Sequence, residues 1–149
     1  VPAVAVSATA DLAPFRPRLA RIASLTLAGV VVLATVLLVV LMPLSSLDVA
    51  GFALLALGIV WFCWRQASVA AVPDDEGLTV RNLMVTTRLT WAQVVTVRFG
   101  DRPWVQLDLA DGDTLAVMGI QRADGEHALA EARRLSTLVA ARSRTTRDD

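Results

Sequence analysis

The chain has 149 residues with 14 basic and 14 acidic side chains, so its formal charge is zero and the balance points to neither nucleic acid nor an acidic substrate. A single cysteine excludes an intramolecular disulfide or cysteine metal cluster. With one histidine as well, a Cys/His or Ser/His/Asp nucleophile system has almost no parts to draw on.

Residues 1–20 read as a flexible lead-in, since "VPAVAVSATADLAPF" is small, apolar and aperiodic. From Ile22 to Met42 there is no charge, and a helix of that length rises about 30 Å, enough to cross a hydrocarbon core. Pro43 ends it. After "PLSSLD" the run from Val49 to Trp64 is again uncharged, and counted from Leu47 it enters the spanning window of roughly 17 to 25 residues. Residues 21–65 are therefore predicted to form a transmembrane helical hairpin, with helices over 22–42 and 47–64. The apolar run is too long for a cleaved export signal and is followed at once by a second. Apolarity all round the helix disfavours a buried pair in a soluble protein.

Arg16, Arg18 and Arg21 precede the first helix and Arg65 follows the second, whereas the connecting loop carries only Asp48. The positive-inside rule then puts both termini in the cytoplasm, with Trp61 and Trp64 as an interfacial collar. Gly51 and Gly58 share a face of the second helix and are candidate packing positions, chiefly within the hairpin. Neither span has an ionisable group, which argues against a transporter. Cys63, among aromatic residues, reads as an inert packed thiol.

Behind Arg65 the pattern turns to short alternating runs. "ASVAAV", "LTVRN", "VTTRLTW" and "VVTVRF" read as strands, with "PDDEG" as a turn. Leu78 and Val80 fall on one side of the second run. In the fourth, Val95, Val97 and Phe99 alternate with Thr96 and Arg98. "WVQLDLADGDTLAVMGI" predicts a hairpin turning at Asp111 and Gly112, with Val105, Leu107 and Leu109 inward and Leu115 and Val117 returning. From Asp124, a plausible N-cap, the period becomes helical. Ala128, Ala132, Leu135 and Val139, joined by Leu129 and Leu138, oppose Glu131, Arg133, Arg134 and Arg142. The prediction is an α+β domain over 66–142, six strands and one helix, with a disordered tail over 143–149.

The segments "DDEGLTVRN" (74–82), "RLTWAQVVTVRFG" (88–100), "PWVQLDLADGDTL" (103–115) and "IQRADG" (120–125), behind two spans, resemble the bacterial pleckstrin-homology (PH) domain membrane proteins. The resemblance is to the actinobacterial group of the low-molecular-weight antigen 6 type. An all-arginine basic set, rich in Ala and Val company, fits coding from a GC-rich genome. The resemblance implies a PH-like bent sheet or antiparallel β-barrel closed by the terminal helix, though six strands are one fewer than the usual seven. It does not imply phosphoinositide binding, because Asp74, Asp75 and Glu76 occupy the turn where eukaryotic PH domains place phosphate-gripping cations.

Those three adjacent acids do not converge as spaced calcium ligands do, so no metal or cofactor site is expected. Arg81, Arg88 and Arg98 sit on neighbouring strands and, with Trp104, are candidate contacts for a partner or for anionic headgroups. Trp91 is assigned to the core. The function expected is a non-enzymatic, membrane-anchored interaction module that is integral to the lipid bilayer and binds a membrane-associated protein at the cytoplasmic face of the inner membrane. The rival reading is a structural or assembly subunit of a larger inner-membrane complex.

Overall fold

A computed structural model of the chain describes residues 12–145. These form two compact units: residues 18–68, and a domain that joins the segment ending at Pro17 to the one starting at Val69.

The helical unit is an antiparallel pair, α1 (Arg18–Leu41, 24 residues) and α2 (Ser46–Ala67, 22 residues). At 1.5 Å per residue they are about 36 and 33 Å long, and both are apolar enough to cross a membrane. Their exposed side chains, such as Leu33, Val40, Leu54 and Leu57, are themselves apolar. Inside α1 the Thr35 hydroxyl donates to the Val31 carbonyl at 2.8 Å, which satisfies it without water. Asp48, inside the predicted helix 47–64, closes a capping box at the start of α2. Its amide donates to Ser45 Oγ at 3.3 Å and its carboxylate accepts from the Ser45 amide at 3.1 Å.

The domain contains two three-stranded antiparallel sheets and a terminal helix. The first sheet is β1 (Ala70–Pro73), β2 (Gly77–Arg81) and β3 (Thr86–Thr90); the second is β4 (Val94–Arg98), β5 (Trp104–Leu109) and β6 (Thr114–Gln121). They do not close into a barrel; the arrangement is the PH-like bent sheet of the α+β fold expected from the sequence. A 3₁₀ turn over Trp91–Gln93 carries the chain from one sheet to the other. Another over Arg122–Asp124 precedes α3 (Glu126–Thr145). The helix thus starts two residues after Asp124, which lies in the 3₁₀ turn and is not its N-cap; Gly125, at φ 59°, makes the bend between them. α3 also continues beyond 142 into the predicted tail, and residues 146–149 lie outside the described ones.

Strand β6 bends to join the two sheets. It pairs with β5 at Trp104↔Gln121 and Val105↔Val117, so Met118, Gly119 and Ile120 have no partner on β5 in between. At this break β6 reaches the first sheet, where the Asn82 side chain completes the link. Its amide nitrogen donates to the Ala116 carbonyl at 2.7 Å and its oxygen accepts from the Met118 amide at 3.1 Å, as a peptide group in a neighbouring strand would. A Cβ on Gly119 would lie 2.8 Å from the Phe15 carbonyl oxygen and 2.9 Å from the Ala71 nitrogen, so only glycine lets the strands approach.

Phe15 falls within the predicted flexible lead-in, yet it is wholly buried and exchanges two backbone hydrogen bonds with Ala71, at 2.8 and 2.9 Å. The Arg134 guanidinium stacks 3.9 Å from the centroid of its ring, donates to the Ala13 carbonyl at 3.0 Å and pairs with Glu131 at 2.9 Å. Arg134 and Glu131, expected on the solvent side of α3, are held half-buried by this contact. The contact is an isolated antiparallel bridge to β1 and does not add a seventh strand. Residues 1–11 of the lead-in lie outside the described ones.

Leu78, Val80, Val105, Leu107 and Val117 point into the core, with Ala128, Ala132, Leu135, Leu138 and Val139 of α3 packed on them. Leu129 is off this face and exposed. In β4 a register shift between Val94 and Thr96 buries Val94 and turns Val95 outward, so of the predicted inward set Val97 and Phe99 pack against the core and Val95 does not.

Candidate partner-binding site

Strand β4 is an edge of the second sheet, bonded to β5 on one side. Among the described residues no backbone group pairs with Val95, Thr96 or Val97 on the other side. Beside that edge an open groove of about 570 Å³ runs between β4 and α3. The helix lines it with Ser136, Val139, Ala140 and Ser143, and the small side chains at 136, 140 and 143 leave the space open. Val139 is buried in the floor, Val95 stands 61% exposed on the strand wall, and Ser143 Oγ lies 3.4 Å from the Trp91 carbonyl at one end. A strand edge with unused donors and acceptors beside an open groove of mixed polarity can receive an extended peptide. The peptide's main chain pairs with the edge and its alternate side chains enter the groove.

The residues singled out from the sequence lie elsewhere. Arg88, on β3, binds Asp74 at 3.3 Å and Glu76 at 2.9 Å, and Arg142 of α3 holds Asp75 at 3.1 Å. The acidic turn is thus neutralised from within the domain. Arg98 pairs with Asp108 across β4 and β5 at 2.6 Å. Such exposed pairs contribute about 0–1 kcal/mol each, but they occupy two of the three arginines and prevent a single basic patch. Arg81, at the end of β2, is exposed and makes no ion pair among the described residues. Trp104 is half-buried and lines a second, more polar depression of about 450 Å³ with Arg98, Gln106 and Thr114. Trp91 is buried in the core, and its indole N–H donates to the Asp74 carbonyl at 3.0 Å.

Gly51 and Gly58 share an apolar groove of about 510 Å³ on α2 with Leu54, Leu55, Ile59 and Phe62. A Cβ at either glycine would meet nothing within 4 Å, so the close packing expected of them inside the hairpin is not made there. Cys63 is a free, buried thiol.

Sequence reasoning did not find the β4–α3 groove. Its one visible signal was the recurrence of small residues at 136, 140 and 143 along one helix face. The free edge beside it depends on which strand ends the sheet, and that is a matter of topology.

The family model described as a bacterial PH domain matches residues 69–137. An uncharacterized protein of Mycobacterium bovis and two of Mycobacterium tuberculosis are each 38% identical over 67 residues. That alignment covers 44% of this chain and 44% of each relative. No solved structure gives a significant match. The matched segment holds all six strands and the first half of α3, and PH-type domains are in general interaction modules. Residues 69–137, behind the helical pair, thus match the bacterial PH-domain family.

Proposed function

We propose that this chain is a membrane-anchored, non-enzymatic interaction module, in which the PH domain binds an extended segment of a protein partner along the free edge of β4. The observation that carries the reading is the unpaired β4 edge beside the groove lined by α3. Edge and groove together provide what peptide addition needs, namely main-chain pairing and a pocket for alternate side chains. α1 and α2 are the anchor, and the arginines flanking them favour cytoplasmic termini at the inner membrane. Only Ser68 and Val69 separate α2 from β1, so the partner is itself expected at the membrane, where tethering raises the local concentration of both.

The test is photocrosslinking in cells from a photoreactive residue at Val95, with one at Asp111 in the opposite hairpin as reference. A protein captured from Val95 and not from Asp111, and lost when Ala140→Trp fills the groove, supports the reading. Capture that is equal from both positions, or insensitive to Ala140→Trp, overturns it. Orientation is read separately with an impermeant thiol reagent on intact cells carrying Ser46→Cys or Asp111→Cys in a Cys63→Ala background; the cytoplasmic assignment requires that only position 46 react.

A second reading, an assembly subunit of a larger membrane complex, is favoured by the outward groove at Gly51 and Gly58, into which a foreign helix could pack closely. Under it, Gly58→Leu dissociates the complex and an unrelated anchor cannot replace the hairpin. Under the first reading the anchor is exchangeable.

A further inference from the structure

We propose that the turn between β2 and β3 dips into the headgroup region of the bilayer, with Met84 and Val85 as the apolar tip and Arg81 meeting anionic headgroups. The inference goes beyond partner binding and rests on the anchoring part of the reading above. Its basis is a coincidence of register, exposure and charge at one end of the first sheet.

Register comes first. Arg81 pairs with Ala70 on β1 and with Thr86 on β3, so the turn over residues 82–85 lies at the end of the sheet where β1 begins. That is the end by which the chain passes to the helices. Only Ser68 and Val69 separate β1 from α2, and Phe15, bridged to Ala71, is followed by Arg16 and Pro17 before α1. Neighbouring strands are about 5 Å apart, so the turn is one or two strand spacings from both passages.

The tip is also apolar and held in shape. Met84 is 68% and Val85 63% exposed, and outside the two helices they are the only adjacent pair of large apolar side chains left exposed among the described residues. The turn is closed by the Asn82 amide donating to the Val85 carbonyl at 2.9 Å. Its base is tied to β6 through both ends of the Asn82 side-chain amide. The two apolar side chains are therefore presented on a fixed loop.

Charge completes the pattern. Arg88, Arg98, Arg134 and Arg142 are each engaged by an acid, whereas Arg81 has no ion pair among the described residues. An apolar tip with a cation set back from it matches the interface, where acyl chains begin below a layer of anionic headgroups. A protein groove would also accept the apolar tip, but closeness to the two membrane-bound passages favours lipid.

The experiment uses the full chain reconstituted into vesicles of phosphatidylcholine and phosphatidylglycerol. An environment-sensitive fluorophore is placed at Met84→Cys, at Asp111→Cys or at Val36→Cys in the middle of α1, each in a Cys63→Ala background. Lipid-borne spin labels and aqueous iodide serve as quenchers. The expected result is lipid quenching at 84 several-fold stronger than at 111, protection of 84 from iodide, and a decrease in both effects with Arg81→Glu. Equal iodide access at 84 and 111, with 36 quenched by lipid, overturns the proposal and leaves the anchor standing. Shielding of 84 from both quenchers means a protein covers the turn, and likewise overturns it. Lipid quenching at 84 without quenching at 36 supports the dipping turn and removes the anchor.

Discussion

Asn82 stands in for a strand. One side-chain amide supplies a donor and an acceptor to β6 at the point where β6 has left β5, and so spares two backbone groups from being orphaned. Asn82→Ala leaves both unpaired in a half-buried place and is expected to cost about 1–3 kcal/mol, read as a fall in the midpoint of unfolding of the full chain in detergent. Asn82→Asp keeps the acceptor but loses the donor, and should fall between Asn82→Ala and the wild type. Gly119 acts by having no side chain. Gly119→Ala puts a methyl into the Phe15–Ala71 bridge from within 3 Å and is expected to cost about 1–3 kcal/mol. Neither role could be read from the sequence. Asn82 meets its partners 34 and 36 positions later, and a glycine in a strand gives no hint of what approaches it. The arginines were equally opaque one by one: only the fold tells Arg88, beside two acids, from Arg81, beside none.

At the scale of elements the sequence was far more legible, because a helix or strand is specified by its own period. The uncharged runs, the alternation through Val105, Leu107 and Val117 and the helical spacing of Ala128, Ala132, Leu135 and Val139 all found their places. The misreadings fall where a period is interrupted. The β4 bulge moved Val95 outward, and the turn at Arg122–Asp124 delayed α3. The cap makes a prediction of its own: Ser45→Ala removes the side-chain acceptor of the first turn of α2, and a loss of about 1 kcal/mol is expected in the same unfolding measurement. Along α3, Ala140 faces the groove and is exposed, so Ala140→Trp should change stability by no more than about 0.5 kcal/mol while filling the site. A large loss of stability from that variant would mean that the groove wall is part of the core.

On the scale of the whole molecule, the PH domain is discontinuous, and its boundary could not be placed from composition alone. The composition changes at Arg65, which suggests a domain that begins there, but Phe15 belongs to the same core and lies before the helices. A chain beginning at Ser68 lacks the aromatic ring under Arg134 and should be destabilised by about 3–5 kcal/mol, the usual cost of emptying a buried phenylalanine site. Joining Pro17 to Val69 through a short glycine-rich link restores that ring without the helices. Of the two, the relinked version is expected to show cooperative unfolding monitored by Trp91 fluorescence. Equal behaviour of both would show that the lead-in is dispensable.

The Phe15 bridge also dictates a timetable for synthesis. Phe15 leaves the ribosome ahead of both helices, Ala71 follows them, and Arg134, whose guanidinium reaches the Ala13 carbonyl 121 positions away, comes last of the three. The first-made piece of the domain must therefore wait until α3 has been made, and in the anchored reading it waits while α1 and α2 are being inserted. Both helices are made before the domain can close, because the ring cannot be covered until α3 has been translated. In that reading a nascent chain stalled before α3 carries the two helices in the bilayer and the Phe15 ring open to solvent and to proteases.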